Sequence, residues 1–159
     1  TAWDLSDNFG NLLTAGDTGN NVVSMQNVDS VAANITRIQF INKSSGTNNQ
    51  ESDTPLMLEN LGNQLYANVS VTGHQLNESG NLDLILAANF SVNNITASTT
   101  GESKLIENSA VQHLGLSLLK GEAATPLMNE TLYFYVDIKA GQIPGTYREN
   151  LNWTITISN

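Results

Sequence analysis

The sequence predicts an all-β fold, an antiparallel two-sheet β-sandwich that is jelly-roll-like or immunoglobulin-like. The strongest indication is the stretch 81–93, in which every second residue from Leu82 to Val92, including Leu86 and Phe90, is apolar. Side chains of a strand point alternately to its two faces, so this period of two predicts one long strand with an apolar face. About eight such stretches follow one another with turn residues between them, a pattern typical of a sandwich.

The same alternation predicts the other strands in chain order. They are expected at 22–28, 31–42 (with a bulge near Arg37), 55–60, 65–72, 104–107, 111–119, 131–138 and 151–158. Segments that are polar or contain Gly and Pro are expected to be loops, namely 43–54, 94–103 and 140–145. Within the last two strands Tyr133 and Tyr135 are expected to face outward, and Leu151 and Trp153 to face the core.

Residues 1–21 are predicted to form an N-terminal arm in front of a β-sandwich domain at 22–159. Trp3 and Leu5 alternate as in a short strand, although the apolar residues of this region also fit one or two helical turns. Glycines interrupt either element. The arm is therefore apolar without being clearly part of the sandwich.

Charge is sparse and negative, with 15 acidic and 6 basic residues and a net charge of −9. Nucleic acid is not expected as a partner, because its recognition needs clusters of Lys and Arg that the sequence lacks. The absence of cysteine excludes a disulfide framework and a thiolate zinc site. No apolar run approaches the roughly 18 residues that span a bilayer, so no transmembrane segment is expected.

The sequence contains no recognisable catalytic constellation, and the protein is not expected to be an enzyme. His74 lies in a turn-like context and His113 on a predicted strand, and both are interpreted as structural. Motifs of serine hydrolases, zinc proteases and phosphate-binding loops are absent. A pair of carboxylates could serve a glycosidase, but the acidic residues are scattered and many precede turns.

The N-terminal region contains weak candidates for a calcium site. Asp4, Asp7 and Asp17 supply carboxylate oxygens among several asparagines, and hard cations prefer oxygen ligands. No EF-hand or nonapeptide spacing supports this site, and the alternative is that these are solvated loop acids. Ca2+ is therefore kept as a candidate ligand.

Asparagine is unusually frequent, at 22 of 159 residues. Eight asparagines lie in the N-glycosylation pattern Asn-x-Ser/Thr, about twice the number expected from chance placement. Most have a large apolar middle residue, which on a strand places the asparagine and the hydroxyl on the solvent face. The alternative is that these residues are only the polar half of an alternating sheet. The candidate acceptors of N-glycans are Asn34, Asn42, Asn68, Asn77, Asn89, Asn94, Asn129 and Asn152.

Dense acceptor patterns in a cysteine-free chain favour a secreted, archaeal, cell-surface or extracellular protein. The chain begins at Thr1 without an initiator Met or a signal-peptide pattern. Thr1 is interpreted as a mature terminus left after removal of a signal peptide, or as an artificial boundary.

Three segments resemble prokaryotic surface β-sandwiches. Residues 58–71, LENLGNQLYANVSV, resemble a two-stranded hairpin, and residues 40–46 are a looser copy of it. Residues 140–147, AGQIPGTY, followed by the strand WTITI, resemble the closing element of such domains. Together these segments resemble the TasA/camelysin superfamily of biofilm-matrix filament subunits, whose archaeal relatives include bundling pili and cannula-type tubes.

This resemblance implies self-assembly by donor-strand complementation, in which the N-terminal arm of one copy completes the jelly roll of a neighbour. In this chain the anchors of the donor strand would be Trp3 and Leu5. The cannula-type relatives imply calcium, and the pilus-type relatives imply glycans. The implied partners are other copies of the chain, in a homopolymer, and neighbouring cells or filaments.

Two functions are consistent with these features. The first is a structural subunit of an extracellular, N-glycosylated filament, pilus or tube. The second is a monomeric or surface-layer binding module that recognises carbohydrate or a cell surface, with Tyr66, Tyr133 and Tyr135 as an aromatic platform. Deleting about 15 N-terminal residues distinguishes them, because only polymerisation needs the arm.

Overall fold

The computed structural model of the protein describes residues 30–62, 68–79, 83–96, 103–113, 129–149 and 151–158. The strand pairs formed by these residues are antiparallel. A short 3-10 helix at Ala87–Asn89 interrupts the strands. The strands are β1 (Val31–Ala33), β2 (Thr47–Glu51), β3 (Leu56–Asn60), β4 (Asn68–Thr72), β5 (Leu76–Glu78), β6 (Leu84–Ile85), β7 (Phe90–Asn93), β8 (Ser103–Lys104), β9 (Val111–His113), β10 (Asn129–Ile138), β11 (Tyr147–Glu149) and β12 (Thr154–Ser158).

The largest sheet has six strands and is built around β10. Its order is β1-β3-β10-β7-β8, and β2 also pairs with β10. Leu132, Phe134 and Val136 of β10 alternate inward and are at most 1% exposed. The prediction that these three residues face the core is therefore confirmed. A strand that packs against a second layer needs one continuous apolar face.

β2 and β3 lie end to end along the same edge of β10. β3 pairs with the first half of β10 and β2 with its second half. The chain bulges between them, where the Ser52 amide still donates to Phe134 O at 2.7 Å. Pro55 has no amide hydrogen and therefore suits this bulge. The prediction that residues 43–54 form a loop is wrong where β2 forms. The polar side chains of β2 show no alternation, and its pairing partner is distant in sequence.

Two three-stranded sheets complete the fold, in the orders β11-β5-β6 and β12-β4-β9. Buried residues from all three sheets form one apolar cluster, so the sheets pack face against face. The predicted antiparallel β-sandwich is thereby confirmed. The cluster is formed by Leu56, Leu58, Val69, Val71, Ile85, Phe90, Val92, Leu105, Leu132, Phe134 and Val136.

The predicted long strand at 81–93 is broken in the structure. The 3-10 helix between β6 and β7 shifts the alternation, with the Asn89 amide donating to Leu86 O at 2.9 Å. As a result Ile85 is buried and Leu86 is 52% exposed, the reverse of the prediction. Ser91, which was expected to face solvent, is 1% exposed because β7 is buried on both faces.

The predicted strand at 31–42 is also too long, since only β1 forms there. The Asn34 side chain accepts a hydrogen bond from the Met57 amide at 2.7 Å and donates to Pro55 O at 3.2 Å. The Asn34 backbone amide still donates to Met57 O at 3.2 Å, but the Met57 amide bonds to the Asn34 side chain, and the strand ends. This is the competition between side chain and backbone that makes asparagine a poor strand former.

The smaller predictions have mixed outcomes. β3, β4 and β10 form where strands were predicted, but the piece at 104–107 is reduced to β8 and isolated bridges. Tyr135 lies on the predicted face of β10, away from Phe134 and Val136, but it is buried there, with its hydroxyl donating to Ile95 O at 3.0 Å. Leu151 is 56% exposed because β12 begins only at Thr154.

Several predictions lie outside the described residues. They concern the arm at 1–21, the strand at 22–28, Tyr66, and the part of 111–119 that follows β9. Among the described residues, none of the helices has the length and apolar character needed to cross a membrane.

Candidate functional site

The outer edge of β12 is the surface feature with the clearest capacity for binding. Five residue pairs join β12 to β4, and no described strand pairs with its other side. The sequence of β12, TITIS, contains no charge and no proline. Ile155 and Ile157 pack against the core but remain half-buried, and no described strand covers them on that side. We call this unpaired side of β12 the open edge.

The other sheet edges in the described residues are protected. β1, β6, β8, β9 and β11 are only two or three residues long. The outer side of β2 is covered by the preceding loop, since the Ser44 amide donates to Gln50 Oε1 at 2.7 Å and Gln50 Nε2 donates to Ser44 O at 2.9 Å. Short edges and covered edges are the usual means by which proteins prevent unwanted strand pairing. Within the part of the chain that the structure describes, the open edge has neither protection.

Trp153 fixes the start of β12 against the core. Its ring meets the Phe90 ring edge to face, with centroids 5.0 Å apart, and lies 6.2 Å from the Phe134 ring. Its indole N–H donates to His74 O at 3.1 Å. Aromatic contacts of this kind add about 0.5–1.5 kcal/mol each beyond their area burial. The open edge therefore extends from a rigidly held residue.

His74 belongs to this anchoring region. Its Nδ1 lies 3.1 Å from Glu107 Oε1, while Glu107 Oε2 accepts a hydrogen bond from the Gln75 amide at 2.7 Å. The carboxylate therefore ties segment 105–107 to the connection between β4 and β5.

A second polar cluster joins the loop after β10 to β6. Asp83 Oδ2 accepts hydrogen bonds from Gln142 Nε2 at 2.8 Å and from the Ile143 amide at 3.1 Å. The Tyr147 hydroxyl accepts a hydrogen bond from Gln142 Nε2 at 2.8 Å and lies 3.1 Å from Asp83 Oδ2. Gly141, at φ 79, makes the turn that brings this loop back. The segment AGQIPGTY thus ties the loop after β10 to the start of β6.

Hydrogen bonding sets the pKa values in this cluster. The hydrogen bond from the Ile143 amide, followed by those from Tyr147 and Leu84, holds the pKa of Asp83 below its ordinary value of 3.8. Burial and the nearby Asp83 carboxylate raise the pKa of Tyr147 above 10.0. Both shifts favour an ionised Asp83 beside a neutral Tyr147, the combination in which the hydroxyl is a donor.

Two exposed ion pairs also fasten loops. Lys104 Nζ lies 2.7 Å from Asp137 Oδ2, and the Asn49 amide donates to Asp137 Oδ1 at 2.7 Å. Burial by itself would raise the pKa of Asp137, but these two contacts outweigh it and lower the pKa. Asp53 is held in the same way by Lys43 and the Ile41 amide, and its pKa is likewise lowered.

Acid is therefore expected to weaken the fold in a way that depends on Asp83. A carboxyl whose pKa is lower in the folded than in the unfolded state stabilises the fold fully above the unfolded value, and this contribution is lost as pH falls through the folded value. In urea unfolding at pH 7 and pH 3, Asp83→Asn should be less stable than wild type at pH 7 and should lose less stability on acidification. The exposed Glu149→Gln should behave like wild type, and equal acid sensitivity of both variants would contradict the assignment.

No calcium site is visible in the part of the chain that the structure describes, where no three His, Cys, Asp or Glu side chains group as metal ligands would. Asp4, Asp7 and Asp17 lie outside the described residues, as do Trp3 and Leu5.

The candidate glycan acceptors differ in accessibility. Asn34, Asn42 and Asn152 are exposed, whereas Asn68, Asn77, Asn94 and Asn129 are half-buried. Asn42 lies in a turn with φ 54. Asn89 is also half-buried, its Nδ2 donates to Asp137 O at 2.8 Å, and its hydroxyl partner Ser91 is buried. Sequence spacing alone gave all eight acceptors the same weight.

The aromatic platform proposed for a binding module is not supported by geometry. Tyr135 is buried and Tyr133 is half-buried within the sheet, and Tyr66 lies outside the described residues. The uncharged alternation of WTITIS, in contrast, is visible in the sequence, although the position of this strand at a sheet edge is not.

Comparisons with known proteins give no family to set beside this geometry: no protein-family model and no curated protein matches the chain.

Proposed function

We propose that the protein is a structural subunit of an extracellular, N-glycosylated filament or tube, and that its copies join by adding a strand to the open edge of β12. The observation that carries this proposal is the regular, uncharged five-residue β12, which has no described partner on its outer side. Proteins that remain monomeric blunt such edges with charge, proline or bulges. An edge left without them suits β-augmentation, in which an extended segment adds a strand.

Side-chain burial adds to the backbone hydrogen bonds of this contact. Ile155 and Ile157 already pack on the core and are half-buried. A strand laid beside them would cover their remaining apolar surface, at roughly 25 cal/mol per Å2. The absence of charge on β12 matters because the whole chain has a net charge of −9, so two copies repel except where they meet through neutral surfaces.

The donor is the N-terminal arm, residues 1–21, of a neighbouring copy. Its Trp3 and Leu5 have the spacing of two side chains on one face of a strand, which matches the inward row of Ile155 and Ile157 on β12. Donor and acceptor are different surfaces of the same chain. Contacts of this head-to-tail kind repeat without closing and generate filaments or tubes.

The extracellular and glycosylated character is supported by the exposed acceptors. Asn42 and Asn152, with their hydroxyl partners Ser44 and Thr154, are all exposed. Calcium enters through the arm, where Asp4, Asp7 and Asp17 would lie at the contact between copies.

The test is negative-stain electron microscopy of the purified chain with and without millimolar calcium. The full chain should form filaments or tubes, and a chain lacking residues 1–21 should remain monomeric with an unchanged circular dichroism spectrum. Polymers that form only with calcium would assign the ion to the contact. Uniform monomers of the full chain in both conditions would refute the proposal.

A matched pair of variants tests the donor residues themselves. Replacing Trp3 and Leu5 by serine should abolish polymers, because the side chains that fill the acceptor are lost. Replacing Leu12 and Leu13 by serine removes a comparable apolar surface from the same arm and should leave polymers intact. If both variants polymerise, another segment is the donor.

A further inference from the structure

Two glycan acceptors share the outer face of the β12-β4-β9 sheet. Asn68 lies on β4, and Asn152 lies two residues before β12, in step with its outward-facing residues. Each has its hydroxyl on the same face, Ser70 for Asn68 and Thr154 for Asn152, because residues two apart on a strand point the same way. Their middle residues, Val69 and Trp153, pack on the core instead.

The pairing register places the two acceptors at opposite ends of this face. Asn68 lies opposite Ser158, while Thr154 lies opposite Thr72, so Asn152 projects beyond the other end. Between them the face consists of hydroxyl and amide side chains without charge. These are Asn68, Ser70, Thr72, Thr154, Thr156 and Ser158.

The outward residues of β12 are exposed, and those of β4 are half-buried. Uncharged hydroxyl groups can donate and accept hydrogen bonds to a covering sugar, and no charged group has to lose its water. Two glycans anchored at the ends of such a face would cover it.

The six-stranded sheet is the opposite case. On β7, Ser91 and Asn93 are 1% and 3% exposed, although they point away from the core. Asn89 donates its side-chain N–H to Asp137 O at 2.8 Å. On β10, the side-chain oxygen of Asn129 is buried, and Thr131 is half-buried. Sugar could not be added at Asn89 without disrupting this packing.

We propose that the outer face of the β12-β4-β9 sheet is a sugar-bearing face of the protein, with glycans on Asn68 and Asn152, and that Asn89 and Asn129, at the six-stranded sheet, carry none. This inference rests on the proposed glycosylated function. It adds to that function the face of the sandwich on which Asn68 and Asn152 carry sugar.

Sugar on this face is compatible with an added strand at the open edge. Hydrogen bonds between strands lie in the plane of the sheet, whereas side chains project perpendicular to it. A glycan on Asn152 therefore rises from the face and leaves the backbone groups of β12 free. In a polymer built through β12, the sugars of successive copies would all point to the same side of the contact, toward solvent.

Glycopeptide mapping by mass spectrometry, on protein purified from its native source, tests the proposal. The exposed turn acceptor Asn42 is the internal reference for a working transferase. Asn42, Asn68 and Asn152 should carry glycan, and Asn89 and Asn129 should be bare. A map in which Asn89 or Asn129 is occupied as fully as Asn68 and Asn152, or in which no acceptor is occupied, overturns the proposal.

Variants that remove only the hydroxyl give a second readout in the same host. Ser70→Ala and Thr154→Ala should each lower the intact mass by one glycan, whereas Ser91→Ala should change it only by one oxygen. Electron microscopy of the same samples separates the two proposals. If polymers form but this face carries no glycan, only the proposal about the sugar-bearing face is refuted. If this face carries glycan but the protein stays monomeric, only the proposal about assembly is refuted.

Discussion

Lysine at two positions of the open edge is expected to abolish polymers while the subunit stays folded. Thr154→Lys combined with Thr156→Lys places two charges on a strand that now has none. An incoming strand would have to pack beside these charges, which is how natural edge strands prevent pairing. Both threonines are exposed, so the free energy of unfolding should change by no more than about 0.5 kcal/mol per substitution.

The register supplies a matched control on the neighbouring strand. Thr72 and Ser70 of β4 lie directly opposite Thr154 and Thr156. Thr72→Lys with Ser70→Lys places the same charges on the same face, one strand away from the edge. In protein produced without glycans, electron microscopy should show polymers for this control and none for the edge variant. Equal polymerisation of the two variants would show that β12 is not the acceptor.

Truncation of Phe90 is expected to cause the largest loss of stability, about 3–5 kcal/mol for Phe90→Ala. Phe90 is 1% exposed and contacts the rings of both Trp153 and Phe40, at centroid distances of 5.0 and 5.7 Å. Its removal leaves a cavity where the six-stranded sheet meets the start of β12. Urea unfolding followed by tryptophan fluorescence measures the loss.

Leu86→Ala is the corresponding control from the same stretch of alternating residues. Leu86 is 52% exposed, so the structure predicts a change within about 0.5 kcal/mol. A single continuous strand would instead bury both residues, and both truncations would then cost several kcal/mol. The pair of measurements therefore decides between the unbroken alternation of the sequence and the interrupted strand of the structure.

Strands were predictable where the apolar face alone determined the conformation. β10 is the best case, because Leu132, Phe134 and Val136 lie opposite a second layer and nothing local competes with the strand. At 81–93 the alternation was just as regular, but the 3-10 helix reversed it at Leu86. A helical turn of three residues leaves no mark in a pattern of apolar positions, so the sequence could not reveal it.

β2 was not predicted as a strand, because it has no apolar pattern at all. Its residues TNNQE contain no apolar side chain, and the strand exists because its backbone pairs with β10 and because the Asp137 carboxylate holds the Asn49 amide. The residues that make β2 a strand are therefore those of a partner strand far along the chain. The end of β1 at Asn34 depends in the same way on distant backbone groups of β3.

The candidate site was partly accessible from sequence. The strand character of 154–158 and the outward position of Thr154 beside Asn152 followed from alternation. That β12 lies at an edge did not follow, because strand order is a property of the whole fold. The difference in accessibility between Asn42 and Asn89 could not be predicted either, because it also depends on the whole fold. Ser91, the hydroxyl partner of Asn89, is buried only because both faces of β7 are covered.

The central position of β10 has a consequence for how the chain reaches its native state. β10 pairs with β2, β3 and β7, and the Tyr135–Glu51 pair joins residues more than half the chain length apart. The chain loses the conformational entropy of closing such long loops before the strand contacts can stabilise it. Folding is therefore expected to be slow, on the order of milliseconds to seconds. The six-stranded sheet cannot form until the last quarter of the chain is available. During synthesis, therefore, β2, β3 and β7 have no central strand to pair with until β10 has been made.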